Sequence, residues 1–410
     1  MRIVHVISDR GLGGAGRYLW TLLEQPAWAG DELTVIAPRG ELAARLEAAA
    51  RGRWRVEAPD LPARSLDARS VWHLARRLRR LRPNVVHAHA SLSARLAAAC
   101  TGVPLVVYTR HGSSRRESAQ WQGGRWSFLR RRAEAALPHV AVAVSRAVAE
   151  ELLQDGVPPA RVHVIPSGVD PAPFLEAGAR RPLWRARLGL EEDDVLILGT
   201  GRLVPEKGWD TWLAAAGRLL AGEGMAADAG ARADAPAPGA AAGRTPADGP
   251  APAAAGARPP RLRFAIAGDG PLAAELRAAA ARARLPGEVL LGFVEDVPGL
   301  LAAADVFMLL SRTEALPLAA VEACMAGRPC VVTGVGGLPE AVPDGVAGFV
   351  VPPGDAEAAA RAAARLAADA ALRARMGEAA RRHALAHHSA PQMAQALRDL
   401  YLRLLGGRAA

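Results

Sequence analysis

Two glutamates eight positions apart, Glu314 and Glu322, bracket a proline at 317. The apolar run before them, 306–310, reads as a strand; Pro317 stands where a helix begins, and Glu322 falls about one turn inside it. A loop carboxylate and a helix carboxylate so spaced can both face a ligand at the helix N-terminus, while the free amides near Leu318 and Ala319 meet phosphate oxygens. A carboxylate can accept hydrogen bonds from two adjacent hydroxyls, which is what a ribose or a hexose offers.

Two cations supply the complementary chemistry. After an apolar run at 195–199, Arg202 and Lys207 share one loop at the carboxyl end of a strand, where open α/β sheets bind ligands. Departure of a nucleoside diphosphate builds negative charge on its phosphate oxygens; an arginine clamps that charge bidentately and a lysine adds a point charge. The plain alternative is two solvated loop cations. A third element, Gly11 to Gly16, satisfies G-x-G-x-x-G between a strand and a helix, so backbone amides there can approach a phosphate closely. A dinucleotide fold would also place a carboxylate at the end of the second strand. Here that strand ends Ile36-Ala37-Pro38-Arg39, which argues against a dehydrogenase.

These groups need sheets to position them. Short apolar runs at 2–8, 33–37, 85–89, 105–109, 140–144 and 162–165 alternate with Ala/Leu/Arg stretches of helical period, the pattern of βα units around a parallel sheet. The pattern restarts near 194 with runs at 195–199, 262–267, 289–291, 306–310, 330–333 and 348–351. A turn- and proline-rich stretch at 166–173 reads as the connection between two α/β halves. Residues 221–260 are almost wholly Ala, Gly, Pro and Asp, and read as a disordered surface insertion. Residues 388–405 have helical period and stop at Gly406-Gly407.

Bulk properties narrow the class. A chain of 410 residues, 50% hydrophobic and 22% charged, buries real cores and divides into about two or three domains, with two the starting expectation. Three cysteines without C-x-x-C spacing indicate neither a disulfide framework nor a zinc site, which favours the cytoplasm. No stretch reaches the roughly 18 apolar residues of a membrane span, and the N-terminus reads as a first strand and not as a secretory leader. The formal charge of +10 implies an anionic partner without choosing among nucleotide, lipid and nucleic acid. No nucleic-acid module is present, so no nucleic-acid partner is expected.

The segment from Ser311 to Pro329 resembles the E-x7-E region of glycosyltransferase family 4. The similarity continues through 331–340 and 344–355, and includes Gly13-Gly14, Arg110-His111-Gly112, 164–170, Gly201-Arg202 with Lys207-Gly208, and 267–272, so that it covers nearly the whole chain in order. The resemblance implies a GT-B fold: two facing Rossmann-like domains, residues 1–170 with a returning helix at 388–405 on the acceptor side, and 188–385 on the donor side. It implies transfer from a nucleotide-sugar donor, UDP- or GDP-linked, with retention of configuration and no cofactor. By carry-over Glu322 binds the ribose hydroxyls and Glu314 the donor sugar, Arg202 and Lys207 hold the diphosphate, and amides around Gly13 and Gly14 take the distal phosphate. His111 lies beside the reacting sugar, and the loop at Val294 sits near the base. The chain departs from the family pattern at Ala315, where Gly is usual, and at Ser167, where Asn is common; a positive φ at Ala315 would be strained.

No carboxylate is evidently placed as a covalent nucleophile and no D-x-D triplet occurs, so the expected chemistry is independent of metal, with cations and amides stabilising the leaving group. The acceptor, whether lipid-linked, polysaccharide or small molecule, falls to the first half. There Arg110, Arg115, Arg116, Trp121, Arg125, Trp126, Phe128, Leu129 and Arg130 to Arg132 mix basic and aromatic side chains, as does the basic run 76–82. Such surfaces suit an anionic membrane, giving a peripheral cytoplasmic protein; solvated helix faces are the alternative. Competing readings are a nucleotide-sugar epimerase of the same fold and a non-enzymatic polyanion-binding protein.

Overall fold

The computed structural model describes residues 1–11, 13–60, 62, 66–89, 91–112, 135, 137, 139–222 and 261–407. The insertion read at 221–260, apart from its first two residues, and the basic-aromatic positions 115–132 lie outside the described residues.

Two parallel sheets organise the described chain. The first runs β1 (Arg2–Ile7), β2 (Glu32–Ile36), β3 (Arg55–Glu57), β4 (Val85–His89), β5 (Leu105–Arg110), β6 (Val140–Ala143) and β7 (Val162–Val164), in the order β3-β2-β1-β4-β5-β6-β7. The second contains β8 (Val195–Thr200), β9 (Leu262–Ala267), β10 (Leu290–Gly292), β11 (Val306–Leu309), β12 (Cys330–Thr333) and β13 (Gly348–Val351), in the order β10-β9-β8-β11-β12-β13. Every pair within them is parallel, with His5 beside His87 and Ile197 beside Val306. Helices cover both faces, so inner strands are apolar throughout; all six residues of β8 are buried. Several helices start at an Asp or Ser whose side chain accepts from an amide three residues on, as Asp67, Ser91, Ser145, Asp296, Asp355 and Asp369 do.

The chain crosses between the halves twice, side by side. Residues 168–169 run against 388–390: the Val169 amide donates to the His388 carbonyl over 2.9 Å, and the Ala390 amide to the Val169 carbonyl over 2.9 Å. Gly168 allows this approach, since a Cβ there would lie 2.7 Å from the Ala390 backbone. The last helix, Ala390–Gly406, then returns to the first sheet and buries Met393, Leu397, Leu400 and Tyr401 with Ile3, Ile7, Tyr18 and Trp28. Among the described residues no helix is long and apolar enough to cross a membrane.

Candidate active site

In each sheet the strand order reverses once, between β1 and β4 and between β8 and β11. The crevice beyond the carboxyl ends of such strands is where parallel α/β sheets take ligands. The loop after β1 leads into the helix Gly14–Leu23, the turn after β8 holds Arg202 and Lys207, and the loop after β11 holds Glu314.

Lys207 and Glu314 meet directly: Nζ lies 2.5 Å from Oε1, and Ser311 Oγ donates to the same oxygen over 2.7 Å. The two loops are also joined by their backbones, the Arg312 amide donating to the Glu206 carbonyl over 2.8 Å. Ala315 is not strained, because the positive-φ non-glycine positions among the described residues are Arg51, Arg82 and Arg284. The close contact is met from the other side instead. Gly336, at φ +52°, passes so near the Glu314 carbonyl that a Cβ there would collide with it.

Glu322 lies in the helix Leu318–Met325, whose N-cap Pro317 has no side chain to bond the first-turn amides. It is only 3% exposed, and its carboxylate pairs with the guanidinium of Arg17 from the facing helix Gly14–Leu23. Burial pushes the Glu322 carboxyl above its usual range, and Arg17 works against that shift. Arg202 is exposed, and its charge acts on Asp9 in the loop after β1. Burial raises the Asp9 carboxyl, with Arg202 opposing. Gly13 caps the helix Gly14–Leu23 without a side-chain bond, leaving its first amides open to an anion. Leu318 and Val294 are half-buried against the core.

His111 follows β5 and ends a ladder of imidazoles. Its Nε2 is 3.0 Å from His89 Nδ1, and His89 Nε2 is 3.1 Å from His5 Nδ1. His87 stacks on His89 with centroids 4.2 Å apart and bonds Thr109 Oγ1 at 2.6 Å and Tyr401 Oη at 2.5 Å. Burial depresses His5 and His111 to about 3 and holds His87 and His89 well below the usual imidazole range. All four are therefore neutral at pH 7. Nitrogens of His5, His87 and His89 come within 4.8 Å of one another, as metal ligands would. Their rings stack, however, and the nitrogens bond each other, Thr109 and Tyr401, so the lone pairs do not converge on one point.

The structure thus brings Lys207 to Glu314 and Glu322 to the helix that follows Gly13, and it corrects one expectation. Arg110 is no acceptor-facing cation: its Nη1 lies 2.7 Å from Asp155 Oδ2 and its side chain is 12% exposed. An ion pair drew it inward. Sequence reasoning missed Asp9, Arg17, Ser311 and the ladder partners of His111. It also missed the contacts that join the halves. Ser145 Oγ donates to the Ala315 carbonyl over 2.8 Å, and the Glu340 carboxylate accepts from the amides of Arg146 and Ala147 over 2.9 and 3.2 Å. The Ser145 helix cap is a local signal; its partner 170 positions away is not.

Comparison with known proteins agrees with this arrangement. Residues 12–173 match the family model Glycosyltransferase Family 4, and residues 251–369 match Glycosyl transferases group 1. The chain is 27% identical over 315 residues to the UDP-Gal:alpha-D-GlcNAc-diphosphoundecaprenol alpha-1,3-galactosyltransferase of Escherichia coli, covering 74% of this chain and 71% of that protein. It is 33% identical over 315 residues to the D-inositol 3-phosphate glycosyltransferase of Salinispora arenicola, covering 73% of this chain and 64% of that one. The chain thus spans just under two thirds of the latter's length. Among solved structures, Anabaena HepE in complex with UDP-glucose superposes with a TM-score of 0.75 at 19% identity, over 98% of this chain and 99% of that one. WaaG, a glycosyltransferase involved in lipopolysaccharide biosynthesis, gives 0.67 at 16% identity, over 98% and 99%. At these identities the structural likeness establishes the GT-B fold. Paired α/β halves, two matching family models and these relatives lead to one conclusion: the chain belongs to glycosyltransferase family 4 and catalyses glycosyl transfer from a nucleotide-sugar.

Proposed function

We propose that this glycosyltransferase takes a hexosyl group from a UDP-sugar and passes it, with retention of configuration, to a lipid-linked acceptor at the cytoplasmic face of a membrane. Residues 1–170 with 388–405 form the acceptor domain and 188–385 the donor domain. Glu322 holds the ribose hydroxyls, Glu314 the sugar hydroxyls, and Arg202 with Lys207 the diphosphate. The amides of Gly13, Gly14 and Leu318 complete the anion site, and Val294 adjoins the base. The carrying observation is that Lys207 pairs with Glu314 between the loops after β8 and β11, Glu322 pairs with Arg17 of the first half, and the charge of Arg202 acts on Asp9 in the loop after β1.

The chemistry follows from these charges. As the glycosidic bond lengthens, negative charge grows on the diphosphate and is met by guanidinium, ammonium and helix amides, without a metal ion. His111 acts as a neutral hydrogen-bonding group beside the sugar, because burial denies it a proton at pH 7. UDP is favoured by the UDP-glucose bound to HepE and by the UDP-Gal donor of the Escherichia coli relative. A membrane acceptor is supported by that relative's diphosphoundecaprenol substrate and by the outer face of the helix Ala68–Leu81. That face exposes Arg69, Arg76 and Arg79 around Trp72, itself 59% exposed. Arg77 and Arg80 turn to Glu57 at 3.2 and 2.6 Å.

Thermal denaturation in EDTA with UDP, GDP or ADP tests the reading. A nucleotide at 100 times its Kd should stabilise the fold by about 2.7 kcal/mol. Glu322→Ala should weaken that nucleotide by about 1.5–3 kcal/mol, the usual loss of a charged hydrogen-bonding partner. Absence of stabilisation by all three, or an unchanged affinity in the variant, would remove these residues from a donor site.

A further inference from the structure

Two ion pairs already occupy the cleft, and each joins a carboxylate to a cation. Lys207 Nζ lies 2.5 Å from Glu314, and Arg17 bonds Glu322 from the opposite half of the molecule. The donor needs these groups separately: hydroxyls seek the carboxylates, and phosphates seek the cations. Glu322 is 3% exposed, so water cannot replace Arg17 when the pair breaks. The Arg17 side chain is half exposed and rises from the first turn of the helix Gly14–Leu23, beside amides that no side chain caps. A guanidinium leaving Glu322 therefore starts from a position next to an open anion site.

We propose that Arg17 is a donor-binding residue that works by partner exchange, releasing Glu322 to the ribose and pairing with the donor's phosphates. The inference rests on the donor reading given above. Its physical basis is the cost of separating a buried pair, which leaves an uncompensated charge behind. Ribose hydroxyls satisfy the carboxylate but offer nothing to the arginine. A diphosphate satisfies the arginine in the same step, so the two halves of the ligand bind well only together. A nucleoside lacking phosphate meets a carboxylate already taken, and the cleft thereby discriminates against it. Because Arg17 and Glu322 come from opposite halves, the exchange also unties this ion pair across the cleft and reties it through the donor.

The test compares UDP with uridine by calorimetry on the full chain, unaltered and with Arg17→Gln or Arg17→Lys. Glutamine keeps a donor for Glu322 without the charge, and a half-exposed position tolerates the change; lysine keeps the charge with a shorter reach. Arg17→Gln should weaken UDP at least tenfold while tightening uridine at least threefold. Arg17→Lys should recover most of the UDP affinity. Equal weakening of both ligands would mean that Arg17 only supports the fold around the cleft, and unchanged UDP affinity would mean that it never reaches the phosphates; either result overturns the exchange while leaving the donor reading intact. Failure of the unaltered chain to bind any of UDP, GDP or ADP would instead overturn the donor reading, and the exchange with it.

Discussion

Acidification from pH 7 to pH 5 should weaken the first half of the molecule by several kcal/mol through its histidine ladder. His5 and His111 are held near 3 by burial, whereas an unfolded imidazole titrates near 6.5. A folded-state value below the unfolded one contributes stability that is full above pH 6.5 and drains away as pH falls toward 3. At pH 5 the unfolded imidazole lies about 1.5 units below its midpoint, so at about 1.36 kcal/mol per unit each residue gives up about 2 kcal/mol. His5 and His111 together lose about 4 kcal/mol, and His87 and His89 shift in the same direction. Raised carboxyls at Glu322 and Asp9 work the other way, since the native state binds their protons more readily. Peptide-resolved hydrogen exchange during urea unfolding at pH 7, 6 and 5 separates the two halves and reports β1, β4 and β5 directly. His5→Phe should flatten the pH dependence by about 2 kcal/mol. Equal stability of these strands at pH 7 and pH 5 would refute the claim that the ladder is buried and neutral.

On the proposed role of Lys207 at the departing diphosphate, Lys207→Ala should lower kcat by about 100-fold or more while the donor KM moves only a few-fold; a rise in KM alone would refute that role. Replacing Trp72, Arg76 and Arg79 together by Ser should cost about 2 kcal/mol or more in partitioning to anionic vesicles, read by sedimentation. Unchanged partitioning, or none by the unaltered chain, would remove the helix Ala68–Leu81 from any membrane contact.

The strands of both sheets were largely legible as apolar runs, and their observed ends mostly differ by a residue or less. The exception is β3, Arg55–Glu57, whose three residues alternate charge around a single valine and carry no apolar run. The positions of Glu314, Glu322, Arg202 and Lys207 after β11, in the helix Leu318–Met325 and after β8 were legible because each follows an apolar run or a helix-starting proline. The Arg17–Glu322 pair spans 305 positions, and nothing near Arg17 announces its partner. Arg110 misled for the same reason, since Asp155 is 45 positions away. Ala315 shows a subtler limit: the absent glycine suggested strain at that position, whereas the backbone clearance is supplied by Gly336 on another loop. The ladder draws on β1, β4 and the end of β5, and only the H-x-H spacing of His87 and His89 hinted that two imidazoles share a strand face.

The returning helix has a consequence for how the molecule is made. Leu397, Leu400 and Tyr401 belong to the core of the first sheet, and Tyr401 holds His87, yet they follow β13 in the chain. On a ribosome the nascent first sheet emerges with that flank bare, and the second sheet is synthesised whole before the covering helix exists. Domains generally fold as units in order of synthesis. Here the order is inverted: the second half can close its core first, and the first half must wait, with Ile3, Tyr18 and Trp28 open to chaperones, until residues 390–406 clear the exit tunnel.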